Sequence, residues 1–363
     1  MKLATERQEI ILAEVRRRGT VRLSELVEVL DVSTVTVRRD VTALADRGLV
    51  SRVHGGLTLP RRGPSEAKRD LPRSSFGPLA TGALVGMVVP SVEYYWPAVI
   101  QGAQATLAAC GGRLALRSSS YSAAEDRRQI GRLLERGVQT LLVAPATDGR
   151  AGVNLLRWLG SVPATVVLVE RRPPPELPPL GLDAATTAHA LGAGLAVRHL
   201  VTLGHRRVGL VTSRSSPHSP TLREGWQDAI SSLGLEPEGA FSVDVPTYGS
   251  PDWAEAYDAV LRRCRRRGVR ALLVHADREA IGILERAHDQ GIDVPGELAV
   301  VTYDDEVAAA SDPPLTAVRP PKHRLGALAA ELALARLAEG AERPVHRVEL
   351  WPTLIVRDSC GAA

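Results

Sequence analysis

Residues 31–56 read Asp31-Val-Ser-Thr-Val-Thr-Val-Arg-Arg-Asp-Val-Thr-Ala-Leu-Ala-Asp-Arg-Gly48 and then Leu49-Val-Ser-Arg-Val-His-Gly-Gly56. Ser33 can accept hydrogen bonds from the first free amides of a helix, and Gly48 can end that helix in the left-handed conformation. With Val35, Val41 and Leu44 turned to a core, Thr34, Thr36, Arg38 and Arg39 face outward near the helix start. Hydroxyls and guanidinium groups there suit base edges and phosphates of double-stranded DNA. A merely solvated surface helix is the alternative for Arg38 and Arg39. The Gly-terminated ribbon predicts a wing, in which Arg52 and His54 reach phosphate or the minor groove; His54 could equally close the Gly55-Gly56 turn. Upstream, Thr5-Glu-Arg-Gln8 forms a capping box ahead of Ile10, Ile11 and Val15, and Gly19 stops that helix. Ser24 precedes Leu26, Val27, Val29 and Leu30, a second short amphipathic helix. Three helices and a ribbon within residues 1–57 predict a winged helix-turn-helix.

Residues 58–82 lack periodicity and are rich in Pro, Gly, Ser and charge, which predicts a solvated linker. From residue 83 to 363, apolar strand-like runs alternate with capped helical patterns, the mark of a parallel α/β fold. Strands are expected at 83–89, 114–116, 140–143, 165–169, 208–211, 271–274 and 298–301. Helices are expected at about 96–109, from Ser122 to Gly137, and at about 184–203, 221–233, 252–266 and 278–290.

Charge separates the two parts. Residues 1–73 hold 15 Lys or Arg against 10 Asp or Glu, while the remainder holds 30 against 31. The positive excess therefore sits where phosphate binding is expected. No apolar run approaches the roughly 18 residues of a membrane span, and the N-terminus becomes charged before an apolar signal region forms. Cys110, Cys264 and Cys360 are far apart in sequence, which argues against a disulfide framework or zinc site and fits a reducing cytosol. The histidines form no H-E-x-x-H pattern, so no metal is expected. Gly192-Ala-Gly194 lies inside a helical pattern, and no P-loop or G-x-S-x-G elbow occurs, so neither a cofactor nor an enzyme is expected.

The Val-Arg-Arg-Asp-Val and Arg-Val-His-Gly-Gly runs resemble the DNA-binding domain of DeoR-type regulators. Leu203-Gly-His-Arg-Arg-Val-Gly-Leu-Val211, Pro295-Gly-Glu-Leu-Ala-Val-Val-Thr-Tyr-Asp-Asp305 and Asp312-Pro-Pro-Leu-Thr-Ala-Val-Arg-Pro320 resemble the effector domain of the LacI/GalR family, itself similar to periplasmic sugar-binding proteins. The fold class implied is α/β: a small winged helix-turn-helix plus a two-lobed periplasmic-binding-protein-like domain. The lobes would be 83–180 with 321–345, and 181–320 with the C-terminal strand, joined by three hinge crossings. A homodimer on a two-half-site operator is implied as well.

The same resemblance and the strand-end rule place an effector site between the lobes. Tyr94, Tyr95 and Trp96 at a helix start offer aromatic faces to a sugar ring, with a purely structural cluster between the lobes as the alternative, and Ser118 follows the second strand, although loop serines often only cap helices. Arg223, in Thr-Leu-Arg-Glu-Gly-Trp226, is matched to the Arg of an Arg-x-x-Gly-aromatic pattern; a surface ion pair is its alternative. Asp304 matches an effector-binding carboxylate. Trp253 matches a ring-contacting position or packs under its lobe. Where the family has Ala-Asn-Asp, this chain has His275-Ala276-Asp277, so His275 or Asp277 would substitute for the Asn, unless Asp277 only caps its helix. The function implied is a cytoplasmic transcriptional regulator, a repressor of carbohydrate genes released by a sugar-like effector. The alternative is a DNA-bound regulator whose cleft is degenerate and senses a protein partner or a non-sugar ligand.

Overall fold

The computed structural model describes residues 83–361 except 175, 176, 178, 179 and 236–239. In the N-terminal part it describes 7, 8, 10–12, 14, 15, 20–30, 32, 36, 37, 39–41, 44, 50–53 and 56–58. Backbone contacts divide the chain into two compact units, Met1–Ser75 and Phe76–Ala363.

In the first unit, residues 7–15 and 36–44 are helical wherever described, and α1 spans Leu23–Leu30. Ile11, Val15, Leu26, Leu30, Val37, Val41 and Leu44 bury their side chains together. Arg7 and Asp40 tie the first helical segment to the third, with Nε donating to Oδ2 at 2.7 Å. The ribbon is β2 (Ser51–Val53) antiparallel to β3 (Gly56–Thr58). A strand not expected from the sequence, β1 (Thr20–Arg22), pairs with the other edge of β3. The ribbon is thereby a three-stranded sheet rather than an isolated hairpin, which alone would be marginally stable. Val29, expected on the apolar face of α1, is instead 42% exposed.

The second unit holds two parallel sheets, each covered by helices on both faces. The first lobe contains β4 (Leu84–Val89), α2 (Trp96–Ala109), β5 (Arg113–Ser118), α3 (Ala123–Glu135), β6 (Thr140–Val143), α4 (Gly149–Leu159), β7 (Thr165–Val169) and β8 (Asp183–Thr187). The second contains α5 (His189–Thr202), β9 (Val208–Ser213), α6 (Ser219–Ser232), β10 (Ser242–Val245), α7 (Trp253–Arg267), β11 (Ala271–His275), α8 (Asp277–Asp289), β12 (Ala299–Tyr303) and β13 (Thr316–Arg319). The chain then returns through α9 (Lys322–Glu339) and β14 (Arg347–Leu350) to the first lobe, and ends in β15 (Thr353–Ile355) on the second.

Strand order is β14-β8-β7-β6-β4-β5 in the first sheet and β10-β9-β11-β12-β13-β15 in the second, with only β15 antiparallel. Among the described residues the chain thus passes between lobes three times, near 188, 320–321 and 351–352. The expected first boundary at 180 is corrected to 188, because Asp183–Thr187 pairs with β7. That segment was expected to begin a helix. Its Asp-Ala-Ala-Thr-Thr sequence has small side chains that fit a strand buried along its whole length. Arg336 of α9 grips Asp183 with two donors, Nη2 at 2.9 Å and Nε at 3.1 Å, anchoring this strand to the returning helix.

Glycine sets how closely α9 can lie on α2. A Cβ on Gly326 would stand 1.8 Å from the Val99 carbonyl oxygen, and one on Gly102 would stand 1.9 Å from that of His323. The two helix backbones therefore touch directly, and their contact leads the chain from the hinge back into the first core.

Candidate functional site

In both sheets the strand order reverses beside the first strand of the lobe, β4 in one and β9 in the other. Ligands bind parallel α/β sheets outside the carboxyl ends of strands near such reversals. A cavity of about 250 Å³ lies there, walled by both lobes. The first lobe supplies Tyr94, Tyr95 and Trp96 after β4, Tyr121 after β5, and Arg171 after β7. The second supplies Ser213 at the end of β9 and Ser215 to His218 after it, Thr247 after β10, His275, Ala276, Arg278 and Glu279 at the end of β11 and the start of α8, and Asp304 after β12.

Backbone strain gathers at the same place. Among the described residues, the non-glycine residues with positive φ are Tyr94 (58°), Tyr121 (55°), Glu170 (55°), Asp304 (97°) and Asp305 (55°). Each ends a strand or follows one at this cleft. Such conformations cost free energy and collect where a side chain must be aimed at a ligand.

The polar groups at the cleft differ sharply in how well they are satisfied. Glu170 accepts hydrogen bonds from the Tyr95 hydroxyl, from Thr187 N at 3.0 Å and from Thr187 Oγ1 at 2.6 Å; His189 Nε2 lies 3.3 Å away. Burial favours protonation of Glu170, but the charge and hydrogen bond of His189 outweigh it and hold the carboxyl below its usual range. Asp304 is the opposite case. It is 5% exposed and its carboxyl has no hydrogen bond among the described residues; His275 Nε2 stands 3.9 Å off. Burial, with Asp277 nearby, pushes its pKa well up. Its neighbour Asp305 turns away to Arg319 and Arg357, so the two adjacent carboxylates separate. His275 is pushed down to about 3 by burial and by His189, and its Nδ1 is buried without a partner among the described residues.

Glu170, His189 and His218 bring possible ligand atoms within 4.8 Å of one another. The two imidazoles, however, stack at 4.0 Å between centroids, and Arg171 Nη1 lies 3.3 Å from His218 Nε2. A guanidinium at that point opposes a metal cation, so the cluster reads as a hydrogen-bonded floor beneath the cavity.

Comparison with known proteins agrees with this architecture. Residues 7–62 match the DeoR-like helix-turn-helix domain and residues 197–360 the periplasmic binding protein-like domain. An HTH-type transcriptional regulator in the aml 5' region of Streptomyces limosus is 30% identical over 292 residues, covering 77% of this chain and 79% of that protein. The chain belongs to the LacI/GalR family of transcriptional regulators. The regulator GalR of Escherichia coli is 28% identical over 343 residues, covering 93% of this chain and 95% of GalR. Among solved structures, the regulator CelR in complex with cellobiose has a TM-score of 0.65 at 23% identity, covering 90% of this chain and 91% of CelR. A LacI family regulator from Enterococcus faecium with bound ribose has a TM-score of 0.61 at 20% identity, covering 76% of this chain and 98% of that one. No described helix is long and apolar enough to cross a membrane.

Of the effector residues expected in this LacI/GalR member, Tyr95, Trp96 and Asp304 line the cavity. Four others do not. Ser118 is exposed, its Oγ directed to the Ser119 carbonyl at 3.4 Å. Arg223 donates to Asp244 Oδ1 at 2.7 Å and Ser242 Oγ at 2.9 Å, the ion-pair alternative. It stands two residues before Gly225, whereas Arg-x-x-Gly requires three; that position is Leu222, buried in the core. Trp253 packs edge-on against Tyr248 and Tyr257. Asp277 is fully buried and accepts from Thr302 Oγ1 at 3.0 Å and from the amides of Asp305, Glu306 and Val307, which shapes the loop carrying Asp304. The sequence reading did not single out Arg171 or His218. Arg171 stands two residues past the end of β7, so the strand-end rule could have found it.

In the DNA-binding unit, Ser33, Thr34, Arg38 and His54 lie outside the described residues. Thr36 is helical and half-buried, Arg39 helical and exposed. Arg52 stands opposite Leu57 in the ribbon.

Proposed function

We propose that this chain is a ligand-responsive, DNA-binding repressor of carbohydrate genes, released when a small polyhydroxylated effector fills the cleft between its lobes. The observation that carries the reading is Asp304: a buried carboxyl, without a hydrogen bond among the described residues, held at positive φ and opening on a cavity shared by both lobes. A carboxyl so placed gains most from ligand hydroxyls, and leaving it unpaired in a filled site would cost about 1–3 kcal/mol. The relatives support the reading, since they include GalR and the ribose operon repressor of Escherichia coli.

The working form is a cytosolic homodimer on an operator with two half-sites, and no catalytic step is involved. Thr34, Thr36, Arg38 and Arg39 meet the major groove; Ser33 caps their helix, and Arg52 and His54 meet the backbone or minor groove. Ligand touching both lobes favours one relative orientation of them, and this affects DNA only through different affinities for the two states. A cleft used by a protein partner is disfavoured, because Asp304, Arg171 and His275 are 5%, 4% and 6% exposed and out of reach of a protein surface. The test is operator binding by Asp304→Ala on duplexes selected from fragmented genomic DNA. The variant should bind as the parent does and no longer release with effector; release like the parent's would remove Asp304 from the site.

A further inference from the structure

The cavity contains a buried cation, Arg171, that forms no ion pair among the described residues. Arg171 is 4% exposed, and its donors meet only neutral acceptors: Nε the Pro145 carbonyl at 3.0 Å, and Nη1 the Glu170 carbonyl at 2.8 Å and His218 Nε2 at 3.3 Å. Nη2 has no hydrogen bond, and no described carboxylate forms an ion pair with the group. Glu170, Asp148 and Asp126 face it electrostatically from beyond ion-pair distance; the Glu170 carboxylate is already taken by Tyr95, Thr187 and His189, and Asp126 accepts from Ala146 N at 2.7 Å. A buried guanidinium with no anion in direct contact is costly and marks a place where one can bind.

Across the cleft, the loop Ser213–His218 leads into α6, with Ser215, Ser216 and His218 on the cavity wall. The first turn of a fourteen-residue helix adds partial positive charge there. Burial, with His189 and Arg171 nearby, pushes the His218 pKa well down, so the permanent charge is that of Arg171. The carboxyls that share the cavity do not neutralise it. Glu279 Oε2 accepts from Ala276 N at 3.0 Å, Glu93 is exposed, and Asp304 makes no ion pair with Arg171.

We propose that the effector is a small polyhydroxylated anion, with hydroxyls taken by Asp304 and a carboxylate or phosphate seated on Arg171 at the start of α6. This rests on the cleft being the effector site. The guanidinium offers an anionic oxygen short, charge-assisted hydrogen bonds that a neutral sugar cannot match. A carboxylate and a phosphate present the same chemistry, and the probes separate them.

The test is calorimetric titration of the full chain with three matched sets on glucose, galactose and arabinose skeletons: neutral aldoses, aldonates with uronates, and sugar phosphates. One anionic set should bind at least about 30-fold more tightly than its neutral partner. Its affinity should fall between 50 and 500 mM salt, roughly the range over which ionic screening becomes strong. Arg171→Lys, which keeps the charge, should weaken the anion by about tenfold, and Arg171→Met by more, each loss exceeding that for the neutral aldose of the same skeleton. Neutral aldoses binding as tightly as the anions, or Arg171 variants that bind the anion unchanged, would overturn the proposal and leave the cleft reading intact. No binding by any set, to a chain that still binds DNA, would overturn both.

Discussion

At the scale of single residues, burial decides which groups are free to work. Asp304 and His275 face each other across 3.9 Å, and burial pushes each toward the protonation state that carries no charge. For His275 the folded pKa of about 3 lies below the unfolded value of roughly 6.5. Between those values the unfolded chain binds the extra proton, so stability is full above about pH 6.5 and is lost as pH falls, by up to about 1.4 kcal/mol per unit. His275→Gln should remove that share of the acid sensitivity, seen as a flatter fall of Tm between pH 6.5 and 4.5; an unchanged slope would show that His275 is charged in the folded state. Asp304 runs the other way. Its raised folded pKa makes stability complete below the unfolded value and lost as pH rises through the folded one. Asp304→Asn should therefore raise Tm at pH 8 while abolishing effector binding, a pairing that simple damage to the fold cannot produce. Arg223 is the contrasting case. Its half-exposed bond to Asp244 is worth at most about 1 kcal/mol after screening, so Arg223→Ala should lose little stability and no effector affinity. A loss of effector affinity comparable to that of Asp304→Asn would place Arg223 back in the site.

At the scale of elements, legibility followed side-chain size and regular spacing. The runs 140–143 and 165–169 are strands with the expected limits, because unbroken Leu and Val suit buried parallel strands. Asp183–Thr187 was hidden because Ala and Thr in succession do not signal a strand; its burial comes from neighbours far along the chain. Asp304 was legible because a polar pair closes an apolar run. Arg223 was misplaced through one residue of register, and one residue on a helix turns a side chain by about 100°. Arg171 was masked by the proline-rich stretch it opens, although it is the last group the strand end can aim into the cleft. Gly102 and Gly326 could be seen only as helical glycines, since the partner each must admit is more than two hundred residues away. Gly326→Ala should therefore push α9 from α2 and cost about 1–3 kcal/mol, as overpacking does. Urea denaturation measures this directly. A midpoint within error of the parent's would mean that the helices part without penalty and that the contact does not set the lobe's geometry.

At the scale of the whole molecule, two units with separate cores and different charge divide the labour. The excess of basic residues lies in 1–73, and Arg39 is exposed on its helix. Each phosphate neutralised lowers the slope of log K against log salt by about 0.9 on duplex DNA. Arg38→Ala and Arg39→Ala need not act alike. The one that reads a base should lose about 1–3 kcal/mol on the selected operator and almost nothing on random duplex. The one that holds phosphate should weaken both duplexes equally and flatten the slope by about one unit. Neither should change effector affinity measured without DNA, because every residue lining the cavity belongs to the second unit. Fluorescence anisotropy on the two duplexes between 50 and 300 mM salt separates these cases. Parental affinity and slope in both variants would remove this helix from the DNA interface. The winged unit would then have to meet DNA through its ribbon, where Arg52→Ala becomes the decisive variant.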